Sequence, residues 1–140
     1  MRIRPEGDTI VEAISDLVAK FPTFKITFVG HSLGGALASV AAADFMQLFT
    51  YGQPRTGNSA YARWIENQGF PISRVVYKKD LVPRVPLQSM GFHHHSEELW
   101  YTPAGGFTHC GSNGENPNCQ DSVPFLTLDA RDHGGYPGLS

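Results

Sequence analysis

In residues 9–20 the apolar side chains Ile10, Ile14, Leu17 and Val18 recur at three- and four-residue steps, which places them on one face of a helix. Thr9 with Glu12 three residues later fits a capping box, and Phe21-Pro22 closes the helix. The β-branched and aromatic run at 25–29 (KITFV) predicts a short buried strand. Glycines interrupt the pattern at 30–35, and an alanine-rich apolar stretch from Leu33 to about Ala43 predicts a second helix. Another strand is expected at 47–51 (QLFTY). Strand, crossover helix and strand in that order imply a parallel sheet. Asn58 is placed to cap a third helix over 59–67, which Gly69 ends, and 73–77 (SRVVY) reads as a further strand. Beyond Pro83 prolines and glycines dominate, with 99–101 and 124–128 expected to pair as strands. There is no internal repeat, so the fold class is α/β in a single domain over 1–140.

Composition narrows this. At 140 residues the chain is long enough to bury roughly two-thirds of its unfolded surface. With 41% hydrophobic and 17% charged residues it is globular rather than disordered. A net charge of −2 leaves no basic footprint, which argues against nucleic acid as a partner. No apolar run reaches the length of a membrane span, and Met1-Arg2-Ile3-Arg4-Pro5 lacks the apolar region of a signal peptide. The two cysteines, Cys110 and Cys119, lie in a stretch with few core-forming residues. A local disulfide is therefore expected over two free thiols, and it would imply an oxidising compartment. Neither a metal nor a cofactor is expected, since His93, His94 and His95 lack zinc-ligand spacing.

The chemistry centres on Gly30-His31-Ser32-Leu33-Gly34, a G-x-S-x-G pentapeptide. The pattern alone is weak; its position after a predicted strand and at the start of a predicted helix is the context of a nucleophile elbow. Gly30 and Gly34 are expected to give the strand and helix room to approach. The helix N-terminus directs free N–H groups at the reacting centre, and the Leu33 N–H is the natural oxyanion donor. The plainer alternative is a glycine-rich turn in which Ser32 merely caps the helix.

A serine needs a base, and the base needs an orienting acid; in α/β-hydrolases the chain order is serine, acid, histidine. Asp80, just past the C-terminal end of a strand, fits the acid better than Asp44 at a helix end or Asp121, Asp129 and Asp132 near the C-terminus. For the base, residue chemistry leaves His93, His94, His95 and His133 open; His109 sits beside a cysteine in a polar loop.

Five ordered motifs then resemble one family. GHSLGGALAS at 30–39 is similar to the elbow of the class 3, filamentous-fungal triacylglycerol lipases, and YGQPRTGN at 51–58 to the strand and turn that follow it. DLVPRVP at 80–86 looks like that family's acid-bearing loop, GFHHHSEELW at 91–100 like the segment after it, and DHGGYPGL at 132–139 like its closing motif. The resemblance implies Ser32, Asp80 and His133 as the triad, with His94 structural. It implies a partial α/β-hydrolase fold with a mostly parallel sheet and a nucleophile elbow. It also implies secretion, and an ester hydrolase whose partners are lipid or acyl-ester substrates and, transiently, a lipid–water interface.

Three departures stand out. The family's N-terminal strands, lid and second oxyanion turn have no counterpart here, the connection at 44–46 is short, so that the helix before it is expected to stop early, and Pro137 replaces an aromatic residue. Weak activity is the expectation, since neither His31 nor Gln53 is expected to replace the second oxyanion donor. A feruloyl-type esterase, a catalytically impaired lipase fragment and a binding module are the competing readings.

Overall fold

The computed structural model describes residues 5–42 and 47–138, with side chains from residue 12. The 44–46 connection, the Thr9 half of the capping box, Ile10 and Leu139 lie outside the described side chains. Helix α1 is Pro5–Lys20, strand β1 Phe28–His31, helix α2 Leu33–Ala41 and strand β2 Leu48–Tyr51. There follow β3 (Gly57–Asn58), α3 (Ser59–Glu66), β4 (Ile72–Tyr77), β5 (Phe92–His93), β6 (Glu97–Tyr101) and β7 (Phe107–His109), with short 3₁₀ turns between and after them.

The main sheet has the order β1-β2-β4-β6-β7. β1, β2, β4 and β6 are parallel, and β7 adds an antiparallel edge. This is a partial α/β-hydrolase arrangement in which the C-terminal ends of the parallel strands meet on one rim. The sequence pattern located the helices and parallel strands and missed the two-residue ladder of β3 with β5. It also misread 124–128. Those residues do not pair with β6, whose neighbours are β4 and β7; Phe125–Thr127 form a 3₁₀ turn instead. Pro124 supplies no N–H for a ladder but accepts from Thr127, as a tight turn requires.

β1 also differs from expectation. It starts three residues later than the apolar run and ends at His31, and it is an edge strand with Val29 61% exposed rather than a buried one. α2 stops at Ala41, two residues short of the predicted end and in the direction that the short connection implied. α3 is capped as its sequence implies: the Asn58 side chain accepts from Ala60 N–H and Tyr61 N–H, each at 3.0 Å.

Two core clusters hold the strands. Ala38 and Ala42 of the α2 end pack with Leu48, Ile65 and Ile72; Val76 packs with Trp100, Val123, Cys110 and Cys119. Cys110 and Cys119 form a disulfide with Cα atoms 6.0 Å apart. It staples the β7 end to the loop before Asp121, the segment where the sequence offers few other core residues. Among the described residues no helix is long and apolar enough to cross a membrane.

Candidate active site

A single residue, Ser32, separates β1 from α2, at φ 58° and ψ −131°. That backbone is unfavourable for a side-chain-bearing residue and persists only where its surroundings fix it. Two hydrogen bonds do so: Ser32 N–H donates to Tyr51 O at 2.9 Å, and Ser32 O accepts from Gly35 N–H at 2.9 Å. The Ser32 side chain makes no capping bond to α2, so its hydroxyl is not used as a helix cap. A Cβ on Gly30 would lie 2.3 Å from Gly34 O, so the elbow requires glycine there. Gly34 needs no such room on its own account, since a Cβ there meets nothing within 4 Å. The second tight glycine is Gly35, where a Cβ would stand 3.1 Å from Gly30 O and 3.2 Å from the Gln53 and Thr50 side chains. Leu33, as the first residue of α2, presents an N–H with no intrahelical partner.

Asp80 follows β4 and is fully buried. A buried carboxylate must be matched by donors, and it has three. Oδ1 accepts from Val82 N–H at 2.9 Å, and Oδ2 accepts from His133 Nδ1 at 2.8 Å and from the Tyr136 hydroxyl at 2.6 Å. With Nδ1 engaged by Asp80, Nε2 is the ring nitrogen left to accept a proton. His133 sits in a 3₁₀ turn, Ala130–Gly134, pinned to the Asp80 loop by reciprocal bonds: Asp129 N–H to Lys79 O at 2.8 Å, and Lys79 N–H to Asp132 Oδ2 at 3.0 Å. Its ring stacks on His31, with centroids 4.5 Å apart, and His31 Nε2 bonds His133 O at 2.9 Å. His31 immediately precedes Ser32, so this stack carries His133 to the elbow end of β1. A cavity of about 190 Å³ lies there, lined by His31, His133, Gly134 and Tyr136.

Tight packing continues behind the pair. A Cβ on Gly52 (φ 59°) would stand 2.9 Å from both Asp80 Oδ2 and the His133 ring. Gln120 Nε2 donates to Asp80 O at 2.7 Å and fixes the loop backbone.

The other candidates lie elsewhere. His94 is buried with Nε2 at 2.7 Å from Pro83 O, and burial, reinforced by the Arg74 and Arg55 charges, holds its pKa well below the ordinary value. His95 bonds Gln53 Nε2 at 3.0 Å; burial and then Arg74 lower its pKa to about 3. His93 bonds the His94 carbonyl, and His109 bonds Glu97. Asp121 pairs with Arg84 at 2.9 Å, and Asp129 binds Arg131 at 2.7 Å. The structure thus joins Asp80 to His133, and to none of the other histidines. His31 Nε2 and Gln53 Nε2 are both already engaged, with His133 O and with Thr56 and His95. Glu98 lies near Cys110 and Cys119, but the disulfide leaves no thiolate there to bind a metal. Tyr136 is the participant that the sequence did not assign. Its signal was its place in DHGGYPGL, three residues after His133.

Comparison with known proteins agrees with this fold. The class 3 lipase family model matches residues 7–90. A lipase of Rhizomucor miehei is 36% identical over 145 residues, covering 94% of this chain and 39% of its own length. The secreted mono- and diacylglycerol lipase A of Penicillium camembertii is 39% identical over 108 residues, covering 72% of this chain and 35% of its own. The solved triacylglyceride lipase of Rhizomucor miehei superposes with a TM-score of 0.87 at 34% identity, over 94% of this chain and 54% of that one. The chain spans between a third and two-fifths of the length of these curated relatives and about half of the solved structure. With the family model matching more than half of its residues, the chain belongs to the class 3 lipase family.

Proposed function

We propose that this protein is a secreted carboxylic ester hydrolase acting on triacylglycerols or other hydrophobic acyl esters, with Ser32, His133 and Asp80 as its catalytic triad. The observation that carries the reading is the 2.8 Å bond from His133 Nδ1 to the buried Asp80 carboxylate, on the rim that Ser32 occupies in a positive-φ elbow. Secretion rests on the relative in Penicillium camembertii and on the Cys110–Cys119 disulfide.

In this reading Ser32 Oγ attacks the ester carbonyl carbon while its proton passes to His133 Nε2. The carbonyl oxygen becomes an oxyanion facing the Leu33 N–H. Collapse breaks the ester C–O bond, and the alcohol leaves with the proton from His133. Water then attacks the acyl-enzyme by the same route, releasing the acid and restoring Ser32. Asp80 holds the imidazole in the required tautomer and offsets its positive charge.

Among the described residues the oxyanion donor at the elbow is the Leu33 N–H, the first of α2. Removing one such donor typically costs about 10²–10³ in kcat. The test is hydrolysis of short- and long-chain p-nitrophenyl esters by the chain and by Ser32→Ala. Release abolished by the substitution supports the reading. Equal release from both proteins defeats it.

A further inference from the structure

Resting on the reading of Asp80 as the residue that orients His133, we infer that Tyr136 is a positioning residue of this site: its hydroxyl locks the Asp80 carboxylate in the rotamer that receives His133. The argument begins with the geometry of the acceptor. Asp80 Oδ1 is tied to Val82 N–H, but Oδ2 carries two partners, His133 Nδ1 and the Tyr136 hydroxyl. Of these two, His133 has a side chain 20% exposed, on the open side of the site. Tyr136 is 1% exposed and fixed from several directions. Its ring meets Tyr51 and His133 edge-on, packs against His31 and Tyr77, and its hydroxyl oxygen accepts from Tyr77 N–H at 3.2 Å. The more deeply buried partner therefore sets the position of Oδ2, and the more exposed imidazole is received by it.

Chemistry supports the same assignment. Burial, and then the Asp80 charge, push the phenol's ionisation far above its ordinary range, so the hydroxyl is a permanent donor to Oδ2. The charged and titratable groups near the ring are Asp80, His31, His133, Tyr51, Tyr77 and, further off, Glu98. None of them donates to the vacant direction on Oδ2 that loss of the hydroxyl would leave. A phenylalanine would fill the same space, so packing alone does not account for a hydroxyl 2.6 Å from the carboxylate.

The test is Tyr136→Phe, alone and in an Asp80→Asn background, with kinetics and the NMR resonance of the His133 Nδ1 proton. Loss of one hydrogen bond to a charged group predicts a fall in kcat of about ten- to a hundredfold with KM nearly unchanged. The Nδ1 proton resonance should shift and broaden. In the Asp80→Asn background the second substitution should cost much less, because the two residues act as one unit. Equal losses in both backgrounds, or an unmoved resonance with unchanged kcat, would overturn the inference. If Tyr136→Phe does not fold, the unsubstituted chain still decides: the Tyr136 hydroxyl proton should exchange slowly and show proximity to His133 Nδ1–H. Fast exchange would count against it. A chain that hydrolyses no ester defeats the proposed function, whereas the NMR signals report on Tyr136 independently.

Discussion

At the scale of single residues, the glycines of the elbow separate two effects that a motif merges. Gly30 cannot carry a Cβ without meeting backbone at 2.3 Å, whereas Gly34 faces open space. Gly30→Ala is therefore expected to destabilise the chain by about 3 kcal/mol or more, through forced backbone displacement. Gly34→Ala should be neutral or stabilising by up to about 1 kcal/mol, because alanine is the better helix former. Urea unfolding of both variants checks this, and equal losses would contradict it. Asp80→Asn should reduce kcat by about 10⁴ by favouring the wrong imidazole tautomer, with KM for a p-nitrophenyl ester nearly unchanged. The proposed triad of Ser32, Asp80 and His133 could be read from sequence because each of the three lies in a short ordered motif. Tyr136 shares the closing motif with His133, but its part depends on a hydroxyl contact with Asp80, 56 residues away, which the motif does not display. Gly35 was hidden for a related reason: besides Gly30 O, its tight contacts are with Gln53 and Thr50, distant in sequence.

At the scale of elements, periodicity served where strands and helices alternate and failed where they do not. β7 is three residues long (Phe107, Thr108, His109), all of them exposed, too short for hydrophobic alternation to mark it. In the segment 91–96 the sequence leaves His93, His94 and His95 open as bases and the resemblance implies a structural His94; the segment holds a pH-dependent contribution to stability. His94 and His95 are buried neutral, each with a folded pKa below the value of about 6.5 expected when unfolded. Below that value the unfolded state binds more protons than the folded one, so stability rises with pH. It is complete above about pH 6.5 and falls as pH drops toward about 3, the folded value for His95. Each histidine contributes a slope of about 1.4 kcal/mol per pH unit in that window. His94→Gln should lower the measured slope between pH 6 and 5 by about that amount; an unchanged slope would show that His94 is protonated in the folded chain. The disulfide makes a separate contribution. Its cysteines are nine residues apart, and Cys110→Ala with Cys119→Ala should cost about 2–3 kcal/mol in unfolding experiments.

At the scale of the whole molecule, the sheet is finished on one side and open on the other. β7, the loops and the disulfide cover the Trp100 side. On the other side, among the described residues, β1 pairs with β2 alone, and Val29, Leu33, Leu37 and Val40 are each more than half exposed. Contiguous apolar surface beside a free strand edge favours association. The chain should therefore sediment as concentration-dependent oligomers, and Leu37→Lys with Val40→Glu should shift it toward monomer; a wild-type monomer at all concentrations would contradict this. On the apolar face of α1 that the sequence pattern marks, Leu17 and Val18 are also exposed, with Ile14 partly covered. Periodicity states which face is apolar and says nothing of what covers it. The site stands at the junction of the two sides, with Asp80 deep in the finished half and Ser32 at the open edge. The most direct measurement is covalent labelling with a p-nitrophenyl phosphonate, whose phosphorus is attacked by an activated serine Oγ with release of p-nitrophenolate. One phosphonyl group per chain, mapped to Ser32 by mass spectrometry and greatly slowed in His133→Ala, is the predicted result. Labelling at another residue, or labelling of Ser32 at the same rate without His133, would contradict the assignment of these residues as a triad.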